Sequence, residues 1–358
     1  MVVLTMFIVL LLLLAVNVPI AIALAVTTII AMVSAHGTNF LIDTAIVMFD
    51  GSMNFPLIAI PLFILAGAIM NSSGISRRLI AFASALVGFV KGGLSMITIA
   101  ASMFFAEISG SAVADVAALG SILIPAMKKK GYPAPFAAAV CSSAASLAVI
   151  IPPSIPMILY AVMAQTSVVQ LFVAGIIPGI IGGFGMMFVS YIYAKRKNLP
   201  IEEKFNLPNL RKTGKEAALA FILPVVILGG IFGGFVTATE GAGLAVVAAL
   251  IIGAIYRELN FQKLFEATTE GGAQTAIVML LVASSVLIGE FLTIEQVPQK
   301  VAASIIDFTS NKYAILAILN VFLLIIGFFL HSAAAIILVI PIVMPLIQIA
   351  GIDPIHFG

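Results

Sequence analysis

The chain has 358 residues, of which 62% are hydrophobic and 9% charged, and its formal net charge is +2. Soluble domains run at about 45–50% apolar and about 25% charged residues, so a soluble globular fold is excluded, and so small an excess of positive charge gives no reason to expect nucleic acid as a partner. A single cysteine, Cys141, rules out a disulfide framework or a cysteine-ligated metal cluster, and His36, His331 and His356 lie too far apart for metal-ligand spacing.

Apolar runs fall near 2–34, 55–71, 79–106, 112–127, 134–163, 169–194, 217–237, 240–256, 273–292, 313–330 and 332–350. Many approach the roughly 20 residues that cross a bilayer. Lipid cannot satisfy a free backbone amide, and the runs lack the alternation of barrel strands, so the expected fold is an all-α polytopic membrane protein. The first run has no basic leader and no small-residue cleavage site, which reads as a retained span rather than a signal peptide.

The run at 112–127 is short and ends abruptly at Lys128, Lys129, Lys130 and Gly131, which points to a re-entrant hairpin over 93–130. The next, 134–163, is long enough to cross but carries Pro152, Pro153 and Pro156. Each removes an amide donor, so a broken helix with unwound backbone is expected.

Seven of the 17 basic residues sit between Lys195 and Lys215, in the longest polar interruption, and the positive-inside rule puts that linker in the cytoplasm. It divides the chain into a first half, 1–194, a linker, 195–216, and a second half, 217–358. The halves share a faint repeat: Pro125 and Gly131 recur as Pro345 and Gly351, an offset of 220 residues, each pair preceded by a small polar tip, SGSAVAD at 109–115 and HSAAA at 331–335. Matched interrupted segments in two halves are the pattern of a secondary transporter whose site lies near the midplane.

Ser109, Gly110 and Ser111 at the first tip, with Pro152, Pro153 and Ser154 at the break, are the candidate ion-binding residues. Hydroxyls and freed carbonyls make a hard-oxygen cage that suits sodium rather than a transition metal. The competing reading is that Ser and Gly only permit close helix packing. Glu107, Asp115, Glu240 and Glu290 lie in or beside apolar runs, where a central charge costs about 2.5–3.5 kcal/mol on insertion scales, and each is a candidate proton relay. Interfacial solvation competes for Glu290 and Asp115, and helix capping through Thr237 or Thr239 competes for Glu240. His331 and Ser332 at the second tip, with Asp115, are candidate contacts for an anionic substrate. No phosphate-cradling loop or activated nucleophile is specified, which argues against an ATP-driven pump. An intramembrane protease would have to draw on Ser111 and His331, while a channel or scaffold would not need two interrupted segments.

The blocks FPLIAIPLFILAGAIMNSSGISRRLI (55–80), FAEISGSAVADVAALGSILIPAMKKKGYPAPFAAAV (105–140), VIIPPSIPMILYAVMAQTSVVQLFVAGIIPG (149–179), GGIFGGFVTATEGAG (229–243) and IPIVMPLIQIAGIDPIHFG (340–358) resemble the large membrane subunit of tripartite ATP-independent periplasmic (TRAP) transporters. The resemblance implies an inner-membrane, sodium-coupled transporter built from two inverted-type repeats and moving as an elevator. It implies two partners, a small membrane subunit and a periplasmic binding protein that delivers a carboxylate-bearing substrate such as a dicarboxylate or sialic acid; a stand-alone anion carrier is the alternative. By motif match, Ser109, Gly110, Ser111, Pro152, Pro153 and Ser154 carry the first sodium neighbourhood and Ser332 marks the second tip. Two features depart from the family. The sequence stops at Gly358, before a Thr-Pro-Pro broken helix that the family commonly carries, so an incomplete chain or a missing second ion site is expected. Ala238 also stands where proline is usual.

Overall fold

The computed structural model describes residues 2–109, 112–328 and 330–358, and these form helices and turns with no strand among them. In chain order the helices are α1 (Val2–Ala15), α2 (Ile20–His36), α3 (Phe40–Ser52), α4 (Ala59–Ser72), α5 (Ile75–Val87), α6 (Gly93–Ser109), α7 (Ala112–Lys129), α8 (Ala134–Ala145) and α9 (Leu147–Ile150). Then follow α10 (Ile155–Met163), α11 (Val168–Arg196), α12 (Leu207–Phe232), α13 (Ala238–Ile255), α14 (Phe261–Ile294), α15 (Val297–Phe308), α16 (Lys312–Gly327), α17 (Ser332–Ile349) and α18 (Pro354–Phe357). Among the described residues six helical stretches are long and apolar enough to cross a bilayer, one of them Phe55–Ser72, in which a tight turn leads into α4, or seven if the bent pair 134–150 and 155–163 is one span. The chain is an all-helical multi-pass membrane protein.

The run at 2–34, which the sequence presents as one span, is two helices. Asn17 takes a left-handed φ of 65° and Pro19 has no amide to extend the ladder, so α1 stops and α2 starts afresh. Hydropathy is blind to both effects. The run at 79–106 is likewise interrupted: Gly92 adopts a φ of 77°, and the amides of Gly92 and Gly93 donate to the Pro200 carbonyl at 3.1 and 3.3 Å, which caps the start of α6. Helix α12 begins within the basic linker, at Leu207, where the Asn206 side chain accepts from the Asn209 amide at 3.3 Å.

Two compact units make up the chain: Met1–Leu57, Ile158–Ser167 and Ala273–Gly358 in one, Ile58–Met157 and Val168–Gly272 in the other. In the first, α1 packs on α2 and α17 on α15 and α16. A Cβ on Gly51 of α3 would fall 2.6 Å from Val286, so glycine is what lets α3 approach α14 so closely. His36 Nε2 lies 3.4 Å from Glu295 Oε1. The Tyr160 hydroxyl donates to the Pro354 carbonyl, while Asp353 caps α18 by accepting from the amides of Ile355 and His356.

The second unit is built around α6, which contacts α4, α5, α7, α8, α9 and α11. A helix surrounded by others is apolar on all sides, and Leu94 through Ala101 are all buried. Where lipid is as apolar as the side chains, close packing replaces the hydrophobic drive, and small residues (Gly241, Ala242, Ala245, Ala249) are buried along α13, which packs on α4 and α12 and sets Gly241 against Ile231. Polar clamps close one edge: Glu258 Oε1 and Oε2 each accept at 2.7 Å from Arg78 and Arg77, and the Arg78 guanidinium lies 3.8 Å from the centre of the Tyr256 ring.

Candidate functional site

The proline-bearing segment is interrupted at Ile151–Ser154, with a bend of 44° between the helices on either side. The physical cause is local. In an α-helix the amides of residues 152 and 153 would serve the carbonyls of Ala148 and Val149, and Pro152 and Pro153 have none to give. The Ser154 hydroxyl answers one of these by donating to the Val149 carbonyl at 2.7 Å. Residues 151–154 are all buried, Ser154 completely, and the Pro152–Pro153 peptide is cis. A hydroxyl that donates its proton inward keeps its lone pairs for another donor or a cation.

The break does not stand alone. Helices α6 and α7 pack against one another and both contact α9, the turn just before the break. Asp115, in the first turn of α7, is 1% exposed, and a helix N-terminus favours a carboxylate there. The structure therefore gathers the hairpin helices, Asp115, Pro152, Pro153 and Ser154 into one unit. Ser109 is the last residue of α6; Gly110 and Ser111 lie outside the described residues.

The second tip belongs to the other unit. His331 is the N-cap of α17, its Nδ1 accepting from the Ala333 amide at 3.4 Å, and Ser332 is the first residue of that helix. Glu240 closes a capping box with Thr237: its carboxylate accepts from the Thr237 amide at 2.8 Å while its own amide donates to the Thr237 hydroxyl at 3.2 Å. That geometry accounts for Glu240 as a structural group. Glu290 is exposed.

Three features of this neighbourhood are not evident from the sequence. Gly175 and Gly179 of α11 form the floor of the break: a Cβ on Gly175 would fall 2.6 Å from the Ile150 carbonyl oxygen, and one on Gly179 would fall 2.6 Å from Ile151 Cγ1. The four-residue spacing of Gly175, Gly179 and Gly183 is the signal that could have found them. Ser102 of α6 is buried, and its Oγ has no hydrogen-bond partner among the described residues. Finally, Ser190 of α11 donates to Ser95 of α6 at 2.7 Å, and Ser95 donates on to the Gly92 carbonyl, a buried polar relay that joins two helices.

The sequence pattern described as "Tripartite ATP-independent periplasmic transporter, DctM component" matches residues 7–358. The chain belongs to this DctM family. It is a family of transport proteins, not of enzymes, and the relatives carry matching names. The chain is 41% identical to the isethionate TRAP transporter permease protein DctMQ of Oleidesulfovibrio alaskensis, over 92% of this chain and 52% of that protein. It is 40% identical to the C4-dicarboxylate TRAP transporter large permease protein DctM of Pseudomonas aeruginosa, over 88% of this chain and 74% of the relative. The sialic acid TRAP transporter large permease protein SiaM of Vibrio cholerae is 36% identical over 91% of this chain and 76% of its own. The chain thus spans about half the length of the first DctM-family relative and about three quarters of the other two.

Proposed function

We propose that the chain is the ion-coupled large subunit of a TRAP importer in a bacterial inner membrane, working with a small membrane subunit and a periplasmic binding protein. The observation that carries a two-repeat transporter is the match between α7 and α17. Both have 18 residues, and at an offset of 220 they start and stop at equivalent positions. Each ends in a left-handed glycine, Gly131 (φ 83°) and Gly351 (φ 63°). The same pair of hydrogen bonds closes each end: Tyr132 N to Met127 O and Gly131 N to Lys128 O in one, Ile352 N to Ile347 O and Gly351 N to Gln348 O in the other. Equivalent hairpin arms in two halves support alternating access of the elevator type.

In this reading sodium is the co-transported ion. Its oxygen donors come from the first tip (Ser109, Gly110, Ser111) and the break (Pro152, Pro153, Ser154), and Ser102 lies two turns before Ser109 on the same helix. Asp115 contacts the substrate only with the cation beside it, because a buried carboxylate repels an anion unless a positive charge intervenes. Ser332 and His331, at the second tip, are the candidate anion contacts of their own unit. The substrate is a small organic anion. Relatives are named for C4-dicarboxylate and sialic acid, which bear carboxylates, and for isethionate, which is a sulfonate. Proteoliposomes holding the whole system test the reading: uptake is expected with an inward sodium gradient and no proton gradient. Uptake driven by protons alone, with sodium absent, overturns sodium coupling.

A further inference from the structure

Helix α8 and its continuation α9 run antiparallel to α11, with Phe136 stacked on Tyr193 (4.1 Å between ring centres, 9° between planes) at one end and Leu147 of α9 against Gly182 at the other. Between these contacts lies an open groove of about 390 Å³, lined by Phe136, Val140, Ser143, Met186 and Val189 and by the exposed Gly185. Its lining is almost wholly apolar. Nothing lies within 4 Å of a Cβ built on Gly185, so the groove continues over that residue.

The aromatic end of the groove is strongly basic. Lys128, Lys129 and Lys130 end the α7 segment just before Tyr132 and Phe136, and Lys195, Arg196 and Lys197 follow Tyr193; all six are exposed. The two segments meet, since Lys130 Nζ lies 3.5 Å from Glu202 and the Tyr132 hydroxyl donates to the Pro200 carbonyl at 3.4 Å. Position 197 falls on the groove-lining register of α11, seven residues after Ser190 and eleven after Met186. The cluster thus stands at the mouth of the groove, on the side that positive residues mark as cytoplasmic.

We propose that this groove holds one acyl chain of an anionic phospholipid, with the phosphate of its head group seated among Lys128–Lys130 and Lys195–Lys197. Charge and size choose the occupant together. A flexible hydrocarbon chain can follow an open, almost wholly apolar groove of about 390 Å³, and the six cations at its mouth complement a head-group phosphate, which an apolar partner helix would not supply. Basic pockets between transmembrane helices on the cytoplasmic side have the charge that anionic head groups require.

The test is lipid retention by the purified full-length permease, read by native mass spectrometry after washing with detergent, in cells that make both phosphatidylglycerol and phosphatidylethanolamine. Wild type is expected to keep phosphatidylglycerol selectively. Gly185→Leu, which fills the groove without a clash, and the triple change Lys195→Gln, Arg196→Gln and Lys197→Gln, which removes the charge, are each expected to lower that retention roughly tenfold or more. Ser143→Leu fills the same space from α8 should Gly185→Leu not fold. Equal retention of the two lipids by wild type overturns the proposal, as does phosphatidylglycerol retention unchanged by filling the groove or by removing the charge. A photo-cross-linker at position 185 that captures a partner helix instead of lipid also overturns it.

Discussion

Gly179 meets Ile151 so closely that a methyl group on the glycine would lie 2.6 Å from the Ile151 Cγ1 atom. Helix α11 is therefore the bed on which the unwound segment at 151–154 rests. Gly179→Ala must push that segment away, at a cost of about 1–3 kcal/mol by analogy with overpacked cores. The expected result is a lowered melting temperature in detergent and reduced uptake. Gly185→Ala, six residues on, has open space around its Cβ and is expected to leave both unchanged or raise stability slightly. Equal effects of the two changes would remove the seating role of Gly179.

Ser154→Ala deletes the only side-chain hydroxyl in the break and leaves the partly buried Val149 carbonyl without the donor that it has in the structure. Such a loss is worth roughly 1–3 kcal/mol, or about 5- to 150-fold in an equilibrium constant. If the oxygen also binds sodium, the concentration for half-maximal uptake rises by a factor in that range, and Ser154→Thr, which restores the hydroxyl, brings it back part of the way. A purely structural role predicts instead a loss of stability with unchanged sodium dependence.

In the sequence Glu240 is a candidate proton relay with capping as the competing reading, and the geometry favours the cap. Glu240→Gln keeps an acceptor for the Thr237 amide, so uptake and its pH profile are expected to match wild type. A shifted pH profile would return Glu240 to the list of coupling groups.

Arg77 and Arg78 share Glu258, but unequally: the Arg77 side chain is 73% exposed and that of Arg78 is 21% exposed. Arg78 also donates to the Gly74 carbonyl at 3.0 Å and covers Tyr256. Arg78→Ala is expected to lower the melting temperature by the equivalent of about 1–2 kcal/mol, and Arg77→Ala by under about 1 kcal/mol, since exposed pairs contribute little. Melting curves at low and high salt check this, with only the Arg77 effect fading as salt rises.

What the sequence made legible was what single residues dictate. Proline cannot donate an amide, so Pro152 and Pro153 announce the break; the nearness of Thr237 and Thr239 to Glu240 suggests a cap, and the structure selects Thr237. What stayed hidden depends on distance along the chain or on a backbone angle. Arg78 and Glu258 are 180 residues apart, and no local pattern joins them. The left-handed φ of Asn17 divides an apolar stretch that hydropathy reads as one. The glycines that floor the break carry a visible spacing, but the carbonyl and side chain they admit, those of Ile150 and Ile151, emerge only from the fold. The candidate ion-site residues come from their chemistry, whereas the buried Ser102 hydroxyl, with no partner among the described residues, shows itself only once α6 is packed among its neighbours.

That burial has a consequence for how the protein can vary. A helix such as α5, which buries Ile75, Leu79, Ala83 and Ala85 and leaves Arg77 and Leu86 exposed, tolerates replacement with a helical rhythm, about every third or fourth position being intolerant. Helix α6 offers no tolerant face. A saturation mutagenesis profile across 94–102 should be flat and low, lacking the oscillation expected at 75–87, and lineages that diverge will do so at α5 and its outward-facing neighbours while the enclosed stretch keeps nearly the same letters.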